Sequence, residues 1–265
     1  MSDEINPDKN IIVKSLEEIE IMHRANQIVA GVLELLREIT IPGISTEKLD
    51  HLAEEYCRDH DGVPAFKGYR GFPKSLCVSI NEEVVHGIPS KKIIIREGDI
   101  VSVDFGVKYK GFFGDSAVTI PVGQVSENIQ QLLDVTRQSL DLAIQMVKVG
   151  NRIKDISKAI QDHVESHKFS VVRQFVGHGI GSNLHEGPEV PNFVQKQTSP
   201  RLIEGMVLAI EPMVNLGTHK VKVLKDRWTV VTADRKPSAH FEHSVAVTAK
   251  GPFVLSELHS QFPNS

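Results

Sequence analysis

Residues 100–120 read IVSVDFGVKYKGFFGDSAVTI, two apolar, β-type runs that each carry one acid, Asp104 and Asp115. The same arrangement returns in MVLAIE (206–211) and EHSVAVT (242–248), with Glu211 and Glu242. Glu97-Gly98 before the first run and Glu204-Gly205 before the second lie 107 residues apart, as do Asp104 and Glu211, and Gly43 and Gly150. Asp115 and Glu242 are 127 apart. The extra length falls between 212 and 240, where a hairpin rich in Lys, Val and Thr fits. A break, a strand and an acid matched in order point to an internal duplication.

Helices precede each strand group. Ser15 and Glu18 have capping-box spacing, and Ile19, Met22, Ala25, Val29, Val32, Leu36 and Ile39 follow at helical period, up to Pro42-Gly43. Ser45 caps a second helix, with Leu49, Leu52, Ala53, Tyr56 and Cys57 on one face and Gly62 as its stop. In the second copy Ser126 opens a helix carrying Ile129, Leu132, Leu133, Leu140, Ala143 and Met146, which Gly150 breaks. Ile153, Ile156, Ala159, Ile160 and Val164 mark the next. Further strands are expected at LCVSI (76–80), VVRQFV (171–176) and WTVVT (228–232). The expected fold is α+β: two pseudo-symmetric halves, about 13–123 and 124–255, with a central antiparallel sheet covered by helices. They form one domain over 13–255, with a flexible N-terminal arm (1–12) and a C-terminal tail (256–265).

The chain has 265 residues, 40% hydrophobic and 24% charged, with a formal net charge of −4. That composition suits a globular protein with a substantial core and gives no basic footprint for nucleic acid. No apolar run is long enough for a membrane span, and the polar MSDEINPDKN start lacks a signal peptide's apolar stretch. The two cysteines, Cys57 and Cys77, make neither a metal-binding pair nor a disulfide framework, so a cytoplasmic location is expected.

Asp104, Asp115, Glu211 and Glu242 sit within or beside apolar runs, where an unpaired charge is costly. Any one of them alone reads as a strand-end residue in water or a local ion pair. No Lys or Arg recurs beside the four to neutralise them. Divalent cations are the simplest compensation, and four carboxylates can hold two. Three histidines stand near turns: His86 in EEVVHGIP (82–89), His178 in VGHGIG (176–181) and His185 in LHEGPEVPN (184–192). A neutral imidazole commonly completes a carboxylate site, and an oxygen-rich set with one nitrogen suits Mn, Fe or Co, with Zn as an alternative. Spacing alone leaves open whether His178 or His185 is the ligand.

The motifs SINEEVVHGIP, VSVDFGVKYKGFFGDSAVT, VGHGIGSNLHEGPEVPN, EGMVLAIEPM and FEHSVAVT, in this order from about Leu16 to Thr248, resemble those of type I methionine aminopeptidases. The resemblance implies the pita-bread fold and removal of the initiator methionine from nascent polypeptides whose second residue is small. It implies that Asp104 chelates one metal, that His178 and Glu211 bind the other, and that Asp115 and Glu242 bridge both. His86 and His185 are then substrate-side histidines, and Glu211 also moves protons. Phe66, Tyr69, Phe72, Cys77, Leu184 and Trp228 are implied to line the methionine slot. A monovalent cation is implied near Asn81, Glu83 and Ser238.

The sequence departs from the common family pattern at Phe66 (often Cys), Phe72 (often Tyr), Leu184 (often Phe) and His240 (usually Gln). A prolidase or aminopeptidase P would carry a large extra N-terminal domain, whereas the first repeat here begins by Ser15. A type II enzyme would need a long helical insert between Glu211 and Glu242. A non-catalytic relative would have lost metal ligands, and all five are present. The expected molecule is a monomer that meets the ribosome transiently through its own domain surface.

Overall fold

The structure is a computed structural model that describes residues 11–258 and Phe262. The first half holds α1 (Leu16–Ile39), α2 (Thr46–Asp59), β1 (Val63–Pro64), β2 (Cys77–Ile80), β3 (Glu83–Val85), β4 (Ile100–Tyr109) and β5 (Phe112–Pro121). The second begins with α3 (Glu127–Gln145), α4 (Ile153–Ser166), β6 (Ser170–Val171), β7 (Gly177–Gly179), β8 (Glu186–Val190) and β9 (Val207–Ile210). It continues with β10 (Met213–Asn215), β11 (Val221–Val223), β12 (Val230–Thr232), β13 (Ser238–His240), β14 (His243–Thr248) and β15 (Gly251–Val254).

The 107-residue offset survives in three dimensions. Both ends of α2 and α4 obey it, as do β1 and β6 and the starts of β4 and β9. Gly43 and Gly150 share φ of 94° and 93°, Gly98 and Gly205 share 85° and 86°, and Asp61 and Lys168 share 62° and 65°. Even the register repeats: Val63 pairs with Lys108, and Ser170 with Asn215. The halves differ where Glu211-Pro212 separates β9 from β10, while the equivalent β4 runs through unbroken. Proline has no N–H to continue a ladder.

Local chemistry sets the helix boundaries. The Ser15 side chain accepts from Glu18 N, and Glu18 reaches back to Ser15 N, completing the capping box. Met22, Ala25, Val29, Val32 and Leu36 are fully buried. Each larger aliphatic among them contributes roughly 1.5–3 kcal/mol of burial. Their face of α1 packs on β4 and β5. The helix α2 stops earlier than Gly62: it ends at Asp59, and Asp61 takes the left-handed turn. Ser126 precedes α3 without a side-chain cap. The run VVRQFV yields strand only at its start, since Arg173 and Gln174 turn out to solvent.

β4 is the centre of the first sheet, flanked by β1, β2 and β5. The second sheet runs β15-β14-β9-β7-β8. The two meet where β5 and β14, the equivalent acid-bearing strands, lie side by side. Ala117 and Glu242 form an antiparallel bridge there. Ser244 Oγ donates to Asp115 O at 2.8 Å, and Thr119 Oγ1 donates to His240 O at 2.8 Å. The hairpin expected between 212 and 240 is β11–β12, and its β12 crosses over to pair with β3 of the first half.

Residues 1–10 of the expected arm, and 259–261 and 263–265 of the expected tail, lie outside the described residues. Ile11 bridges to Gly187 in parallel, and Lys14 N donates to Gly205 O. Lys14 Nζ meets Glu186 Oε2 at 2.6 Å, both side chains being 2% exposed. This pair ties the start of the chain to the loop just after His185. Breaking a buried pair strands the remaining charge, at about 3–5 kcal/mol. Lys14→Met should therefore lower stability by about 3 kcal/mol in urea unfolding, and adding Glu186→Gln should restore most of it. A loss under about 0.5 kcal/mol in the single variant would mean that Glu186 is solvated.

Candidate metal centre and substrate cleft

Asp104 and Asp115 face the same side of the β4–β5 ladder. Asp104 pairs with Ala117, and Gly106 pairs with Asp115, so the two acids are diagonal neighbours. Gly106 leaves room for the Phe66 ring: a Cβ at that position would stand 2.7 Å from Phe66 Cε1. Glu242 enters across the seam opposite Ala117, immediately before β14. Glu211 follows the end of β9, and His178 is the middle residue of β7.

The glycines beside His178 let three strands close around it. A Cβ on Gly177 would meet Ala209 O at 2.4 Å, and one on Gly179 would meet Gly187 O at 2.1 Å. His178 Nδ1 lies 2.9 Å from Gly179 O, and a carbonyl only accepts, so Nδ1 carries the proton. The lone pair of Nε2 is left free, 3.6 Å from Glu211 Oε1.

One cavity of about 140 Å³ is lined by all five of these residues together with His86, His185, Phe66, Tyr69, Phe72, Cys77, Leu184, Trp228 and Arg70. Every residue expected in the metal set or the methionine slot thus meets in one place. The rings interlock: Phe72 meets Trp228 edge-on at 5.2 Å, and Tyr69 stacks on His185 at 5.3 Å. Tyr69 Oη sits 3.0 Å from His185 Nδ1. Asn81 and Ser238 are joined elsewhere, Ser238 N donating to Asn81 O at 2.9 Å.

Two residues at or beside the site were not assigned a site role from the sequence. Arg70 lies at the mouth, and its only sequence signal is its place between Tyr69 and Phe72. His240 is fully buried, with Nε2 3.6 Å from Glu211 Oε2. Its signal was the departure from glutamine just before FEH.

The donor set fits divalent cations. Asp104 Oδ1, Asp115 Oδ1 and Glu242 Oε1 are buried with no hydrogen-bond partner, a costly state unless something else satisfies them. Ligand atoms of Asp115, His178 and Glu242 all lie within 4.8 Å of one another. Burial pushes the Asp104 carboxyl up to about 7, with His240 opposing and Glu211 adding to the rise. Burial pushes Glu211 up to about 8. Asp115 and Glu242 are raised well above the ordinary range by burial and by the neighbouring acids. Burial, with His185 alongside, holds His178 down to about 3, so its imidazole stays neutral. His86 is held to about 4, mainly by burial and also by His240 and His185.

A family model described as metallopeptidase family M24 matches residues 20–249. The chain belongs to metallopeptidase family M24. It is similar to methionine aminopeptidase 1 of Bacillus subtilis, at 50% identity over 94% of this chain and all of that one. The crystal structure of methionine aminopeptidase from Thermotoga maritima matches with a TM-score of 0.92 and 46% identity, covering 94% of this chain and 100% of the other. A prolidase from Pyrococcus horikoshii, 21% identical with a TM-score of 0.75 over 65% of its length, shares the fold alone. The fold of this M24 member is the pita-bread fold, and the protein is a metal-dependent hydrolase.

The proton affinities carry a test. Asp104 and Glu211 bind protons more tightly when folded, so their contribution to metal-free stability is full at acid pH and is lost as pH rises through about 7 and 8. His178 and His86 act in the opposite sense: their contribution is present above the ordinary 6.5 and is lost as pH falls through about 4 and 3. Above pH 6.5 only the carboxylates still change. Metal-free protein should lose at least about 3 °C of Tm between pH 6.5 and 8.5, where ~1 kcal/mol is worth a few degrees. Saturating divalent metal should abolish the loss. A metal-free Tm that is flat over that window would mean the acids are not held in the neutral form.

Proposed function

We propose that the chain removes the initiator methionine from new polypeptides whose second residue is small, by hydrolysis of the first peptide bond with two divalent ions. The observation that supports this best is the cavity itself: an acid cluster with a neutral imidazole borders a slot lined by aromatic and apolar side chains. A free N-terminal amine belongs at the acids, and a single side chain fills the slot. Thioethers make favourable contacts at aromatic edges, which suits Phe66, Tyr69, Phe72, Leu184, Cys77 and Trp228 as the methionine contacts.

Asp104 would hold one ion, His178 and Glu211 the other, and Asp115 and Glu242 would serve both. Bound ions of this kind supply Lewis-acid polarisation and a hydroxide nucleophile near neutral pH. Glu211 takes a proton from the attacking water and returns it to the departing nitrogen. His185, whose Nδ1 lies 3.0 Å from Tyr69 Oη, would donate from a protonated Nε2 to the oxygen where negative charge develops. His86 faces the substrate side, its ring edge-on to Trp228 at 6.2 Å.

The ligand set suits Mn, Fe or Co, with Zn also possible. Asn81, Glu83 and Ser238 are the place for a monovalent cation. The reading includes action as a monomer. Cys57 and Cys77 are both free, which supports a reducing cytoplasm. Contact with the ribosome is then transient and made by the domain's own surface.

Hydrolysis of Met-Gly-Met should disappear on prolonged chelation and return with Mn²⁺, Fe²⁺ or Co²⁺. Full turnover in protein shown to be metal-free by elemental analysis would sink the reading.

The two histidines should fail differently. His178→Ala should lose one metal position and be partly rescued by excess metal. His185→Ala should keep both metals and lose about 10²–10³ in kcat with little change in KM. Calorimetric metal titration beside steady-state kinetics decides this. Metal loss in His185→Ala alone would reverse the two roles.

A further inference from the structure

We propose that Arg70 makes this enzyme favour substrates with a carboxylate side chain just beyond the small second residue. The inference rests on the methionine-removing reading and adds a substrate class to it.

Among the described residues, Arg70 is the only lysine or arginine lining the cleft. Its side chain is exposed, and among the described residues no carboxylate is paired with it. The guanidinium instead lies over the Tyr69 ring, 5.4 Å from the centroid. The same Tyr69 holds His185 through its hydroxyl.

The backbone supports the same conclusion. Arg70 has φ 49° and ψ 21°, a left-handed conformation uncommon for a residue with a Cβ. Gly68 and Gly71 beside it have φ of 85° and 90°, and the space above both is open. A tight turn of this kind usually takes glycine at every such position. Here one of them carries a long cation, held at the mouth of the cleft.

The substrate's direction is fixed by the acids. With its amine at the carboxylates and its first side chain in the slot, the rest of the peptide leaves past His185 and Tyr69. It therefore passes Arg70. Two divalent cations would offset the charge of the four deep carboxylates, leaving the Arg70 guanidinium to act on the departing chain. An exposed pair of this kind favours an acidic over a neutral residue by about two- to fivefold.

The test uses metal-loaded enzyme and C-terminally amidated peptides Met-Ala-Xaa-Ser, with Asp, Asn or Lys as the third residue. A second set carries the same residues at position four. Wild type should show kcat/KM in the order Asp, Asn, Lys at one of the two positions, with a difference expressed mainly in KM. Added salt at about 0.5 M should shrink it, as screening requires. Arg70→Gln should bring the Asp/Asn ratio to one, Arg70→Lys should retain part of it, and Arg70→Glu should invert the order. Each ratio is internal to one protein, so a general loss of turnover does not disturb it. An Asp/Asn ratio of one in wild type at both positions, or a ratio unchanged in Arg70→Gln, would overturn the proposal. No methionine release from any of the three peptides would instead overturn the functional reading beneath it.

Discussion

Four carboxylates share one buried site, and among the described residues no ammonium or guanidinium is paired with them; most of the molecule is arranged around that imbalance. Burial raises the proton affinity of every one. In the absence of cations the acids must remain partly protonated, or the site must open. With cations bound they become ligands, and the same burial that makes them costly makes them tight. The neutral His178 fits this economy, because it adds a donor without adding charge to the crowd.

The backbone solves the placement problem by using a strand pair twice. β4 and β5 present Asp104 and Asp115, and the β9–β14 pair presents Glu211 and Glu242. The seam between β5 and β14 then sets the distance between the two sets. It is made by side chains of Ser116, Thr119 and Ser244 as well as by backbone, so it is anchored right beside Asp115 and Glu242. Ligand geometry is therefore a property of the interface between halves, not of either half.

The sequence made most of this legible because its signals were local or repeated. The capping box at Ser15, the glycines at 43 and 150, and the acids in apolar runs each have a physical meaning that needs no tertiary knowledge. What escaped was of another kind. The strands β7, β8 and β10 are too short, and too rich in glycine or proline around them, to show alternation, and their existence depends on partners far along the chain. Arg173 and Gln174 end the VVRQFV strand because no neighbour remains to pair with them. Asp61 rather than Gly62 makes the turn after α2, a choice that propensity alone misorders. The positions of Arg70 and His240 follow from folding and could not be read from spacing, although the unusual residue at 240 marked the spot.

The seam has a consequence for how such a chain could arise. A single half that closed on a copy of itself would form a homodimer with every ligand present twice, and its two metal positions would be chemically identical. Fusing both copies in one polypeptide removes that constraint, since each can now vary alone. Gly177-His178-Gly179 is a change of this type: an imidazole introduced on one side only, with glycines that let β8 and β9 close over it. Symmetry supplied the scaffold, and its local breaking gave the two sides of the acid cluster unlike donor sets, an inequality that a true dimer could not have reached.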